Sequence, residues 1–252
     1  MKSLIRLIKR ILSGMKLKRL DSKDIANNKN EIRLFLIVRN ESLRLPYFFK
    51  YYTKLGVDRF FVIDNNSTDN TQDFLLKQPN THVFFTKEVF KRQAARFDYL
   101  LHKYGLNHWC VVVDADEFIR YPHSEEINLK KLCKFMDSKK FNALHCLLLD
   151  MYANKPIKKA VYKEGTEPLR TTPYFDPFSH TITMNFNKYG VPFMFIGGLR
   201  ARAFNLPTTW LSKYPLVKFH KHMYQQWGTH IVENARIAEI VGVSLHFKYF
   251  SD

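Results

Sequence analysis

The sequence predicts an α/β fold: a mostly parallel sheet flanked by helices, with an irregular second half. Three observations predict it. Apolar runs without alternation recur between residues 32 and 114, helical stripes separate them, and polar residues collect where the runs end. With 252 residues, 46% of them hydrophobic, the chain can bury about 70–75% of its unfolded surface, which excludes general disorder.

Taken in order, IRLFLIV (32–38) is an apolar run expected of a strand buried on both faces. Leu45, Phe48, Phe49, Tyr52 and Leu55 then share one helical face, with Pro46 in the first turn and Gly56 as the stop. RFFVID repeats the strand pattern, the turn-formers Asp64-Asn65-Asn66-Ser67-Thr68-Asp69 follow, and TQDFLLKQ reads as a short helix. HVFFT is a third strand. Ala94, Phe97, Leu101 and Tyr104 mark a helix over 91–104, and WCVVVD closes the series. Strands alternating with helices imply right-handed parallel crossovers, and such sheets bind ligands beyond the C-terminal ends of their strands.

The residues at those ends are Arg39-Asn40-Glu41, Asp64 to Ser67, Lys87-Glu88 and Asp114-Ala115-Asp116-Glu117. Carboxylates converging on one edge repel each other unless a cation joins them, so a divalent metal with oxygen ligands, Mn2+ or Mg2+, is expected there. Helix capping accounts for Asp69 or Asp73. It accounts poorly for Asp114 and Asp116, since no amphipathic helix starts directly after them. Neither GxGxxG nor GxxxxGK[ST] occurs, so phosphates would be neutralised by the metal, assisted by Arg92 and Arg96. A solvated helix face explains Lys91 equally well.

The chain carries 40 Lys and Arg against 23 Asp and Glu, a net charge of +17. Seven of those basic residues, and no acidic one, lie in residues 1–20. There Leu4, Leu7, Ile8, Ile11, Leu12 and Met15 form one helical stripe, with lysines and arginines on the other face. Arg6, Lys9 and Arg10 interrupt any signal-peptide core. The expectation is a helix lying on the anionic inner face of the cell membrane, making the protein cytoplasmic and peripheral; a solvated or partner-packed helix is the plainer alternative. No run of about 18 apolar residues exists, so a spanning helix is excluded. Residues 21–30 read as a linker, giving segments 1–30 and 31–252, the latter divided into 31–120 and 121–252. Cys110, Cys133 and Cys146 show no CxxC spacing, which points to reduced thiols.

In the second half, 128–136 looks helical and FNALHCLLLD looks like a buried strand ending at Asp150. Residues 151–180 are irregular, and SHTITMNFN and PLVKFHKH read as strands. Gly197-Gly198 before LRAR suggests close approach to an anion or a tight hairpin turn, with Arg200 and Arg202 on one face of a strand.

VRNE, LGVDRFFVIDNNSTDNT and WCVVVDADEF resemble the nucleotide-binding half of GT-A glycosyltransferases, closest to the bacterial family-2-like branch. GGLRAR, LSKYPLVKF and LHFK continue the likeness over residues 31–250. The resemblance implies a GT-A type, Rossmann-like fold and a metal-dependent transfer from a nucleotide-sugar, a UDP-sugar by expectation, to a glycan or glycolipid acceptor such as lipopolysaccharide or capsule. It implies that Arg39, Glu41, Asp64 and Asn66 border the nucleotide, and that Arg200, Arg202 and Lys248 join them. Asp114 and Asp116 match the metal-binding pair, Asp116 as the direct ligand and Asp114 reaching ribose or metal-bound water, and His246 completes the site, with His230 as the runner-up.

Such a transfer, if inverting, needs a carboxylate base for the acceptor hydroxyl. Asp150, Asp176 and Glu117 are the candidates, and Asp176 before Pro177 serves equally as a turn former. Tyr152, Tyr174 and Trp227 could stack on a sugar. Two other classes compete. A nucleotidyltransferase shares the carboxylates but usually has a Gly-rich loop that VRNESLRLP lacks. A nucleic-acid binder fits the charge but not an acidic site, so no nucleic acid is expected.

Overall fold

A computed structural model of the chain describes residues 2–26, 28–89, 93–177, 180–184, 193–226 and 229–251. Its centre is a nine-stranded sheet. In spatial order the strands are β1 (Lys18–Arg19), β4 (Thr81–Phe85), β3 (Arg59–Asp64), β2 (Ile32–Val38), β5 (Trp109–Val112), β10 (Ser212–Lys218), β7 (Ala143–Asp150), β13 (Ile237–His246) and β6 (Glu117–Arg120). The strands β4, β3, β2, β5, β7 and β13 run one way; β1, β10 and β6 run against their neighbours. The small hairpins β8 (His180–Met184) with β9 (Phe193–Gly197), and β11 (Tyr224–Gln226) with β12 (Ile231–Glu233), lie outside this sheet.

Both faces are covered, which is why the first strands read as unbroken apolar runs. Leu34, Leu36 and Val38 of β2 point into a core shared with α2 (Leu45–Leu55), α3 (Thr71–Lys77) and α5 (Leu129–Ser138), while Phe35 and Ile37 meet α4 (Gln93–Leu100) on the other face. α2 ends as its glycine demands: Gly56 adopts φ 110° and its N–H turns back to Tyr52 and Thr53. The helix expected over 91–104 is seen from Gln93 and widens into a π-type turn at Leu101–Gly105. The three cysteines are free and buried.

The segment 21–30, read as a linker, is fastened along 18–26. β1 extends the sheet beside β4, and buried Asp21 accepts from the Val83 N–H (2.8 Å), the Lys23 N–H (3.0 Å) and Arg19 (2.8 Å). β6 leaves the first half and pairs antiparallel with β13 at the far edge, so both halves share one sheet.

Candidate functional site

The C-terminal ends of the parallel strands lie at one edge, and the starts of β10 and β6 lie there too, because those strands run the opposite way. Register then brings distant residues together. His246, the last residue of β13, stands opposite Glu117 on one side and Asp150 on the other. Residues in register point to the same face of a sheet, so the three side chains converge.

His246 Nδ1 lies 2.6 Å from Asp150 Oδ1 and Nε2 lies 3.2 Å from Asp116 Oδ2. Burial works against the imidazolium, yet these two carboxylates push its pKa up to about 10. In turn, burial disfavours the Asp116 charge, but His246 and the more distant Arg44 and Lys213 hold that carboxyl well below the usual range. Arg200 forks onto Asp150 at 2.8 and 2.9 Å, so both Asp150 oxygens are engaged and, despite burial, its pKa is lowered.

Beside this cluster lies buried Lys213, at the start of β10. Its Nζ is 2.7 Å from Glu117 Oε1 and 3.5 Å from Asp114 Oδ2. Burial pushes the Glu117 carboxyl up, to about 7, against the pull of Lys213. Glu117 Oε2 is buried and has no hydrogen-bond partner among the described residues.

Asp116, Glu117 and His246 each offer one ligand atom, all within 4.8 Å of one another. Two carboxylate oxygens and an imidazole nitrogen could hold a divalent cation, and the unpartnered Glu117 oxygen is what a cation would satisfy. Among the described residues Asp114 is not part of this triad; its carboxylate turns toward Lys213. His230 directs Nδ1 to the Ser212 carbonyl at 2.8 Å, and burial drives its pKa down to about 3.

The loops after β2 and β3 are stitched together. Asp64 Oδ1 accepts from the Ser67 N–H and Oδ2 from Gln72, both at 2.9 Å, an Asx-type turn that shapes DNNS. Asn40 and Asn66 take left-handed φ values of 56° and 61°, and Asn40 Oδ1 accepts from the Thr68 N–H at 2.7 Å. Arg39 stands exposed at this edge, whereas Glu41 is drawn to Arg44 at 2.8 Å. Asp69, just before α3, accepts from the Thr71 and Ser42 N–H groups at 3.0 and 3.1 Å.

Arg96 is turned inward. It donates to Asn65 Oδ1 at 3.1 Å and to the Val89 carbonyl, bracing the loops after β3 and β4. Arg92, Lys91 and Trp227 lie outside the described residues. Lys248 is exposed beyond β13.

Arg200 and Arg202 do not lie on a strand. Gly198–Phe204 forms α6, where two residues differ by about 200° around the axis. The arginines therefore part company: Arg200 reaches Asp150, and Arg202 forks onto Asp176 at 2.6 and 3.1 Å. Asp176 also accepts from the Tyr152 hydroxyl at 2.8 Å, while the Tyr174 ring lies 6.2 Å from that of Tyr152. Gly197 and Gly198, with φ of 96° and 68°, make the strand-to-helix turn.

No family model matches the chain. A stretch of 97 residues, 37% of the chain, is 29% identical to a glycosyltransferase family 92 protein of Ricinus communis and covers 18% of it. A stretch of 95 residues, 36% of the chain, is 27% identical to a family 92 protein of Oryza sativa subsp. japonica and covers 16% of it. Part of this chain is thus similar to glycosyltransferases. The match spans less than a fifth of each relative, and the family in both cases is 92 rather than the family-2-like branch its motifs resemble. A solved 4-diphosphocytidyl-2C-methyl-D-erythritol synthase aligns over 74% of this chain and 72% of its own, at 12% identity and a TM-score of 0.35.

Sequence reasoning missed Lys213 as part of the site. It sits in LSKYPLVKF, a segment that shares the resemblance, but a lysine at the head of an apolar run reads as strand-end punctuation and was not singled out.

Proposed function

We propose that the chain is a metal-dependent glycosyltransferase that uses a nucleotide-sugar, a UDP-sugar in the first instance, to extend a glycan or lipid-linked acceptor such as lipopolysaccharide or capsule. The observation that carries this reading is the convergence of Asp116, Glu117 and His246, with an unpartnered Glu117 oxygen, at the ligand-binding edge of an α/β sheet. The partial similarity to glycosyltransferase family 92 proteins supports the reaction class.

In this reading Asp116, Glu117 and His246 hold the divalent cation, which when bound neutralises the leaving diphosphate. Asp150 and Arg200 fix the His246 ring, since ring orientation follows the hydrogen bond at the other nitrogen. Lys213 keeps Glu117 and Asp114 from repelling each other. Asp64 shapes the DNNS loop against which the nucleoside would rest, and exposed Arg39 directly follows β2 at that edge. Asp150 and Asp176 each have both oxygens taken by an arginine and a further partner. They act as positioning residues, and Glu117, the third sequence candidate, has one oxygen on Lys213 and gives the other to the cation.

Calorimetric titration with UDP and with GDP, each with and without manganese, tests the proposal. Metal-dependent binding of one nucleotide, lost in Asp116→Ala, is the expected result. Binding that ignores manganese would overturn the metal role, and silence toward both nucleotides would count against the nucleotide-sugar donor.

A further inference from the structure

The N-terminal helix α1 (Lys2–Met15) docks with its apolar side outward. Its inner face is polar. Arg6 forks onto Glu233 at 2.7 and 2.8 Å and lies 4.0 Å over the Tyr224 ring, Arg10 reaches Asp98 at 3.8 Å, and Gly14 presses on Tyr99. A Cβ at Gly14 would come within 2.2 Å of that ring, so the approach is as close as the backbone permits. Lys16 pairs with Glu88 at 2.8 Å, and β1 then joins the sheet, which fixes the helix at its C-terminal end.

Leu4, Ile5, Ile8, Ile11, Leu12 and Met15 face away from the protein, exposed by 46% to 78%. A helix in water normally turns such a stripe inward. Here the protein spends arginines on the contact and leaves a contiguous apolar strip outside, the feature that marks an interaction surface. Exposed Lys9, Lys16 and Lys18 border it, and residues 1–20 contain no acidic side chain.

We infer that α1 is a prepositioned seat for an anionic lipid surface, its apolar stripe entering the interface and its lysines meeting the headgroup phosphates. The charge selects this occupant. A second copy using the same face would set these lysines against their own kind, since a twofold contact pairs a surface with itself. A helix of 14 residues spans about 21 Å, too short to cross a bilayer, and among the described residues no helix is long and apolar enough to do so. Lying flat is what its geometry allows. Because Lys16 holds Glu88 in the loop after β4, the bilayer would be met close to the edge that carries the candidate site. The inference stands apart from the transfer chemistry.

The test is co-sedimentation of the full chain with vesicles of phosphatidylcholine alone and of phosphatidylcholine with phosphatidylglycerol. The expected result is binding to the anionic vesicles, weakened by salt, and reduced at least about tenfold by Ile8→Glu or Ile11→Glu. Both positions are half exposed and away from the docking face, so melting temperature should not move; Leu4→Glu repeats the test at the far end of the stripe. Wild-type protein that stays in the supernatant, or equal sedimentation of wild type and variants, overturns the inference. So does a concentration-dependent dimer that Ile8→Glu dissolves without any vesicle binding.

Discussion

Replacing Lys213 by Met keeps the stem that packs in β10 and removes the charge that lies 2.7 Å from Glu117 and 3.5 Å from Asp114. Lys213 and Glu117 are almost wholly buried, so neither water nor salt replaces the lost cation. Removing one partner of a buried pair costs about 3–5 kcal/mol, because the other charge is left uncompensated. At about 2–4 °C per kcal/mol for a chain of this size, the melting temperature should fall on the order of 10 °C. The variant can relieve part of the cost by protonating Glu117, whose pKa burial has already pushed up to about 7. A carboxyl raised above its unfolded value loses stability as pH climbs from the unfolded pKa to the folded one. Without Lys213 the folded value rises further, so that window extends upward and the deficit relative to wild type grows above about pH 7. Thermal melts at pH 6 and pH 8.5 measure both effects, and manganese should restore more to the variant than it adds to wild type. Equal melting temperatures at both pH values would refute Lys213 as the counter-ion of the cluster.

Asp21→Asn should destabilise the N-terminal strap by about 2–3 kcal/mol in urea melts, since it weakens hydrogen bonds that a charged acceptor receives from Arg19, Val83 and Lys23. Those partners outweigh burial and hold Asp21 well below the usual carboxylate range; its contribution is present above about pH 4 and is lost toward stronger acid, so the gap to wild type should narrow there. Gly242→Ala should cost about 1–3 kcal/mol, because its Cβ would lie 2.7 Å from Cys146 Sγ and 2.9 Å from the Arg120 carbonyl between three paired strands. An unchanged melting temperature would mean that β7 and β6 part without penalty around the centre of β13.

The sequence alone determined the first half of the fold and the half of the site that goes with it. IRLFLIV, RFFVID and the helix stopped by Gly56 are local signals, because burial on both faces and a left-handed stop act on neighbours in the chain. Strand ends in consecutive βα units fall on one edge, so Asp64, Asp114 and Asp116 could be read as neighbours of that edge. His246 was legible only through its resemblance, and Lys213, inside a segment that shares it, was not singled out. Which strand stands beside which in the second half rests on pairings such as His246 with Asp150, 96 residues apart, and no local periodicity encodes them. The same holds for α1. Its stripe is plain in the sequence, but only the ion pairs of Arg6 and Arg10 with Glu233 and Asp98 decide that the stripe faces outward. Local propensity fixes the elements, whereas long-range charge pairing and strand register fix what those elements present to one another and to the outside.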